Sequence, residues 1–197
     1  MIEAEVKARV RNLPLVRERL ERLGPGRDEV YEDTYYDDEA RTLSRGDREL
    51  RVRTVRGPGG AVSVLTYKGA RVDPASGSKP EHETRVADAS AVRALLGGLG
   101  YRPWIRFEKR CRNHGFSYAG RDILATVVRV PELGETFVEV ETMVDGDALP
   151  AALDAIRAVL RDLGIHEDDH TNESYTDAVI ARRALGRSPS EAPTDSS

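Results

Sequence analysis

Charged side chains in this chain fall at alternate positions of short segments, the spacing that places them on one face of a β-strand. At the start, Glu3, Glu5, Lys7, Arg9 and Arg11 alternate with Ile2, Ala4, Val6, Ala8 and Val10. The pattern recurs where Arg51 and Arg53 alternate with Leu50 and Val52, where Glu81, Glu83 and Arg85 share one parity, and where Glu139 and Glu141 alternate with Val138 and Val140. On one strand alone such a face is a solvated exterior. On several strands, with the two signs on different strands, it describes a surface for a polyanion and a divalent cation together. Lys7, Arg51, Arg53, Lys68 and Arg85 are the candidate anion-binding groups. Glu3, Glu5, Glu81, Glu83, Glu139 and Glu141 are candidate ligands for Mg²⁺ or Mn²⁺. The guanidinium fork suits a phosphate, and an ammonium adds a point charge. The chemistry indicated is phosphoryl or nucleotidyl transfer.

The elements that must hold these groups follow from hydrophobic periodicity. Strands are expected at Ile2 to Val10, Val30 to Tyr36, Glu49 to Arg56 and Ala61 to Lys68, the last two joined by the turn Gly57-Pro58-Gly59-Gly60. A polar loop from Arg71 to Lys79 precedes a strand from Pro80 to Val86. Further strands are expected at Ile105 to His114, Asp122 to Val130 and Thr136 to Val144. Helices are expected at Leu13 to Leu23, with Pro14 in its first turn, at Ser90 to Leu99 and at Leu149 to Leu163. Helices must cover the apolar strand faces, which sends the ionic faces either to solvent or into a lumen. The expected fold is α+β, an eight-stranded antiparallel barrel, closed or nearly so, with flanking helices. One domain spans 1–185, followed by a Ser/Pro-rich tail from 186 to 197 expected to be disordered.

A net charge of −4 and a pI near 5.7 argue against a nucleic-acid binder. With one cysteine, Cys111, there is no intramolecular disulfide, which fits a reducing compartment. The N-terminus lacks the apolar run of a signal peptide, and no segment reaches the ~20 apolar residues of a membrane span. The expected setting is the cytoplasm, with no membrane partner and a possible homodimer. Neither GxxxxGK[ST] nor GxGxxG occurs, so phosphate must be bound by side chains. His166 and His170 stand four apart among Glu167, Asp168 and Asp169, but Gly164 marks a solvated acidic loop rather than a metal-binding helix. Trp104, Tyr101 and Phe107 could stack on a base, although aromatic residues at such a junction usually belong to a core.

These residues also resemble a known pattern. Glu3-Ala4-Glu5-Val6-Lys7 is similar to the ExExK signature of CYTH proteins, a family containing class IV adenylate cyclases and triphosphatases. In order along the chain, Asp33-Thr34-Tyr35-Tyr36-Asp37, Leu50-Arg51-Val52-Arg53, Leu65-Thr66-Tyr67-Lys68-Gly69 and Glu81 with Glu83 resemble the strands that follow in that family. Lys109 to Arg112, Leu133-Gly134 before Phe137-Val138-Glu139-Val140-Glu141, and Ser174-Tyr175 complete a resemblance that covers roughly 1–183. It implies a triphosphate tunnel in which Glu3, Glu5, Glu139 and Glu141 bind metal and Lys7, Arg51, Arg53 and Lys68 bind phosphate, with Glu5, Lys7 and Glu141 catalytic. Of the basic strand, Arg110 and Arg112 share one parity and Lys109 the other, and the arginines are expected to enter the tunnel.

The implied activity is that of a class IV adenylate cyclase, converting ATP to cyclic AMP and pyrophosphate. The alternatives are hydrolysis of inorganic, thiamine or nucleoside triphosphate, and binding of a nucleotide or polyphosphate without turnover. One departure bears on all three. The family's LDxVxxLG segment carries a metal-binding Asp, but no Asp lies between Asp122 and Asp145 here. Either Glu132 substitutes or the metal site has fewer carboxylates.

Overall fold

The computed structural model describes residues 1–186. Eight antiparallel strands close into a barrel in the order β1-β5-β4-β3-β2-β6-β7-β8. They are β1 (Ile2–Arg9), β2 (Gly26–Asp37), β3 (Glu49–Gly57), β4 (Gly60–Lys68), β5 (Lys79–Val86), β6 (Arg102–Tyr118), β7 (Arg121–Arg129) and β8 (Thr136–Val144). Five helices accompany them: α1 (Leu13–Leu23), α2 (Thr42–Arg45), α3 (Ala89–Gly98), α4 (Leu149–Asp162) and α5 (Tyr175–Gly186). Of the tail expected from 186 to 197, Gly186 ends α5 and the rest lies outside the described residues. Among those described, no helix is long and apolar enough to cross a membrane.

The apolar parity of the strands faces outward, beneath the helices. Ala4, Val6 and Ala8 of β1, Ala125 and Val127 of β7, and Val138 and Val140 of β8 pack against Val16 and Leu20 of α1 and Ile156, Val159 and Leu160 of α4. Leu96 of α3 covers Tyr36 and Val52 on the other side. With helices over those outer faces, the ionic parity of β1, β3, β5 and β8 turns toward the lumen. Register then decides which charges meet. Glu5 lies opposite Glu141 and Lys7 opposite Glu139 across β1 and β8, while Lys68 lies opposite both Glu49 and Glu81.

The wall has one thin seam. β1 and β5 share only the pairs Ile2–Pro80 and Glu3–Lys79. Beyond them the free edge of β1 is satisfied by other segments. Glu5 N–H donates to Ser78 Oγ (3.2 Å) and Gly77 N–H to the Glu5 carbonyl (3.1 Å). Thr171 N–H donates to the Lys7 carbonyl (2.9 Å), and Ala8 bridges to His170. A loop and a C-terminal strap thus occupy an edge that would otherwise be open to unwanted pairing.

α2 and α5 were not expected from periodicity, and β6 runs further than expected at both ends. α2 is a single turn that depends on a tertiary contact rather than an amphipathic pattern. The buried Asp37 carboxylate accepts hydrogen bonds from Leu43 N–H (3.0 Å) and Ser44 N–H (2.9 Å). Removing this acceptor in Asp37→Ala orphans those donors and is expected to cost about 1–3 kcal/mol of stability, measurable by urea denaturation.

Candidate functional site

The lumen is a cavity of about 620 Å³. Its lining carries Glu3, Glu5 and Lys7 from β1, Glu49, Arg51 and Arg53 from β3, Lys68 from β4, Glu81 and Glu83 from β5, Lys109 from β6, and Glu139 and Glu141 from β8. Cations and carboxylates are not mixed evenly within it.

One region is anionic. Oxygens of Glu3, Glu5 and Glu141 all come within 4.8 Å of one another. Burial, reinforced by Glu139 and Glu3, pushes Glu5 up to about 7. Burial with Glu3 and Glu5 lifts Glu141 well above the usual carboxylate range, and burial raises Glu3 as well despite the ammonium of Lys68. Lys68 bonds Glu3 and lies 2.9 Å from Glu81. That single ammonium leaves the cluster short of positive charge. An all-oxygen, carboxylate-rich donor set suits a hard divalent ion such as Mg²⁺ or Mn²⁺, which would relieve this repulsion.

The neighbouring region is cationic. Arg53 forks onto both oxygens of the fully buried Asp33 (2.6 and 2.8 Å) and lies over the Tyr31 ring, 4.3 Å from its centroid. Burial opposes ionisation of Asp33, but Arg53 and Arg51 outweigh it and hold the carboxyl far below its ordinary range. Arg51 is less committed. Its Nη2 donates to Thr66 Oγ1 (3.3 Å), its contact with Asp33 stretches to 4.0 Å, and its buried Nε lacks a hydrogen-bond partner. Lys7 and Lys109 flank the Tyr175 ring, 4.4 and 4.1 Å from its centroid, and Lys7 Nζ donates to the Glu173 carbonyl of the strap. Although burial alone would raise Glu139, Lys109 and Lys7 keep it below the usual range. Glu139 therefore belongs to the cation side rather than to the three-carboxylate cluster.

Three expected anion-binding residues lie elsewhere. Arg85 has the lumen parity of β5, opposite Val64, but is exposed toward the strand end and does not line the cavity. Arg110 and Arg112 point outside the barrel. Arg110 bonds Glu108 (3.0 Å), and Arg112 bonds Glu21 (2.9 Å) and Asp28 (2.6 Å). Lys109 is the inward residue of that strand. Pairing of Lys109 with Tyr31, and of Asn113 with Thr126, fixes the odd parity inward, and a shift of one residue reverses every side chain. A run of consecutive basic residues carries no information about parity.

Glu81 and Glu83 reach the cavity but are engaged, Glu81 with Lys68 and Glu83 with Thr66 Oγ1 (2.8 Å). The lumen-side residues of β7 include Leu124 and Thr126, neither acidic. Glu132 does not fill the gap, because both its oxygens bond Arg183 (2.7 and 2.9 Å) away from the lumen. The three-carboxylate cluster thus receives no fourth ligand from this segment. His166 and His170 flank a short turn at Glu167–Asp169, where Asp169 bonds Arg11 (2.5 Å). Sequence reasoning named Tyr175 only within the family resemblance and passed over Arg41, Arg45 and Arg48, all of which line the cavity. The last three are placed there by the short α2 turn and its flanks.

The model of the CYTH domain matches residues 1–175. The chain belongs to the CYTH family. A Methanocaldococcus jannaschii protein named as a candidate adenylate cyclase is 29% identical over 180 residues, covering 89% of this chain and 97% of the relative. The PH1819 protein of Pyrococcus horikoshii has the same fold, with a TM-score of 0.78 and 28% identity over 92% of this CYTH chain and 99% of its own. A Hippeastrum protein, described as a candidate adenylyl cyclase with a dominant triphosphatase activity, is 15% identical. It shares the fold with a TM-score of 0.61, covering 92% of this chain and 96% of its own.

The Asp33–Arg53 pair sets an acid limit on the stability of the barrel. A carboxyl depressed in the folded state stabilises above its unfolded pKa, and that stability is lost as pH falls through the folded value. Asp33→Asn should cost about 3–5 kcal/mol at neutral pH, because it strands a buried guanidinium. It should also flatten the loss of stability of the wild type below about pH 4, as followed by denaturant titration across pH.

Proposed function

We propose that this CYTH protein is a divalent-metal-dependent enzyme acting on a triphosphate compound in its lumen, and that the reaction is cyclisation of ATP to cyclic AMP and pyrophosphate. The observation that carries the reading is the separation, within one cavity, of the Glu3, Glu5 and Glu141 cluster from the set Arg51, Arg53, Lys7 and Lys109. A chain of phosphates laid along the cavity would meet donors on one side and metal ligands on the other. A bound divalent ion supplies charge neutralisation at phosphoryl oxygens. Arg51, with its unpartnered Nε, donates to the phosphates, and Arg53 is held in place for the same task by Asp33. Lys7 and Lys109 add ammonium charge where the leaving group gathers negative charge. Glu3, Glu5 and Glu141 would hold the ion.

The name carried by the archaeal relative supports cyclisation. Hydrolysis of a terminal phosphate is the second reading, supported by the activity described for the Hippeastrum protein of the same fold. Both reactions use the same donors and differ in which phosphorus meets the nucleophile.

Incubation with ATP or inorganic triphosphate and Mg²⁺ or Mn²⁺, with products separated by chromatography, is expected to give cyclic AMP and pyrophosphate. Orthophosphate instead would make the protein a triphosphatase. Glu5→Ala and Glu141→Ala should abolish metal-dependent turnover, and normal turnover in both would sink the site assignment. Lys109→Ala should weaken triphosphate binding about tenfold or more, as for a lost charge-assisted contact. Arg110→Ala, its outward neighbour, should change affinity by less than about twofold, since it alters only an exposed pair. Isothermal titration with a triphosphate checks both.

A further inference from the structure

Trp104 lines the cavity although its position in β6 has the wrong parity for the lumen. Inward residues of that strand are odd-numbered: Ile105 lies opposite Tyr35, Phe107 opposite Asp33 and Lys109 opposite Tyr31. The register then shifts, so that Tyr36 pairs with Pro103 and Trp104 is left without an opposite residue. An extra residue in one strand of a pair bends that strand and re-aims its side chain. Here the side chain re-aimed is a half-buried indole, brought to the cavity beside α2.

The indole face is covered by a planar cation. The Arg41 guanidinium lies 3.8 Å from the ring centroid. Arg41 adopts φ 60°, a left-handed conformation rare for a residue with a side chain, at the start of α2. Arg41 also pairs with the Asp37 carboxylate (3.6 Å), whereas Arg45 and Arg48 line the same cavity and, among the described residues, neither forms an ion pair with a carboxylate. A flat aromatic face therefore sits next to cations with charge to spare. That pairing suits a ligand that is planar at one end and anionic at the other.

We infer that Trp104 and Arg41 form a lip that recognises the planar heterocycle of an organic triphosphate, so that the lumen selects nucleoside-type triphosphates over inorganic triphosphate. This rests on the reading that the lumen holds a triphosphate. The heterocycle takes the place of the guanidinium on the indole, and Arg41 moves onto the phosphates. Stacking on an aromatic side chain tolerates any base, so the lip selects for a ring rather than for one particular base.

Trp104 is the sole tryptophan of the chain, which makes it its own reporter. With Mg²⁺ present, intrinsic fluorescence is followed during titration with ATP and with tripolyphosphate, and affinities are measured by calorimetry. ATP should change the fluorescence saturably and tripolyphosphate should change it much less. In Trp104→Ala the ratio of ATP affinity to tripolyphosphate affinity should fall about fivefold or more, with Trp104→Phe retaining most of it. If both ligands bind and raise the melting temperature but the ratio is unchanged in Trp104→Ala, the lip is refuted while the lumen reading stands. If neither ligand binds the wild type, the lumen reading falls and the lip falls with it.

Discussion

Enclosing ionisable groups in a closed barrel is costly unless each charge is answered, and most of the structure can be understood from how the answers are distributed. A carboxylate or ammonium removed from water loses several kcal/mol of solvation, recovered only through well-placed partners. On the cation side the partners are present: Asp33 for Arg53, and Glu139 for Lys7 and Lys109. On the other side Glu5 and Glu141 lie directly opposite each other across two strands, and Lys68 is committed to Glu3 and Glu81. The resulting imbalance is local and directional. It leaves a deficit of positive charge beside a guanidinium with an unused donor, which is the arrangement a metal–phosphate ligand completes.

The outer layers make that imbalance tolerable. Two apolar clusters under α1, α3 and α4 carry hydrophobic stabilisation outside the barrel wall, so the charged part of the lumen need not contribute any. A third cluster, including Phe107, Val128, Phe137 and Tyr175, packs from β6, β7, β8 and α5. Tyr175 therefore serves both sides: its ring makes a T-shaped contact with Phe137 and lies under the ammonium groups of Lys7 and Lys109.

Much of this was legible in the sequence because period-two alternation is strong. Every strand and the helices α1, α3 and α4 were expected, with β2 and β6 running longer than expected, and the ionic faces of β1, β3 and β8 identified the lumen. What escaped depended on register and tertiary contact. The inward face of β6 could not be read from a run of consecutive basic residues, because only pairing with β2 and β7 distinguishes Lys109 from Arg110. Trp104 was ambiguous for a related reason, since a bulge defeats any argument from parity. α2 was invisible because one turn has no period, and its existence rests on an aspartate preceding it in the chain.

The seam between β1 and β5 has a consequence for how the protein comes into being. The wall beside the glutamate cluster is finished by residues 77–78 and again by residues 170–171. The contact from Lys7 to the Glu173 carbonyl spans 166 positions of sequence. Contacts so far apart are paid for in loop-closure entropy before they return anything, which slows folding. During synthesis the first strand, with its cluster-forming glutamates, waits for residues 170–173 before the last part of its edge is covered. Until then the nascent protein has the residues of the cavity without their full enclosure, so a chain ending before the strap would leave the Lys7 and Ala8 edge of β1 open beside the lumen.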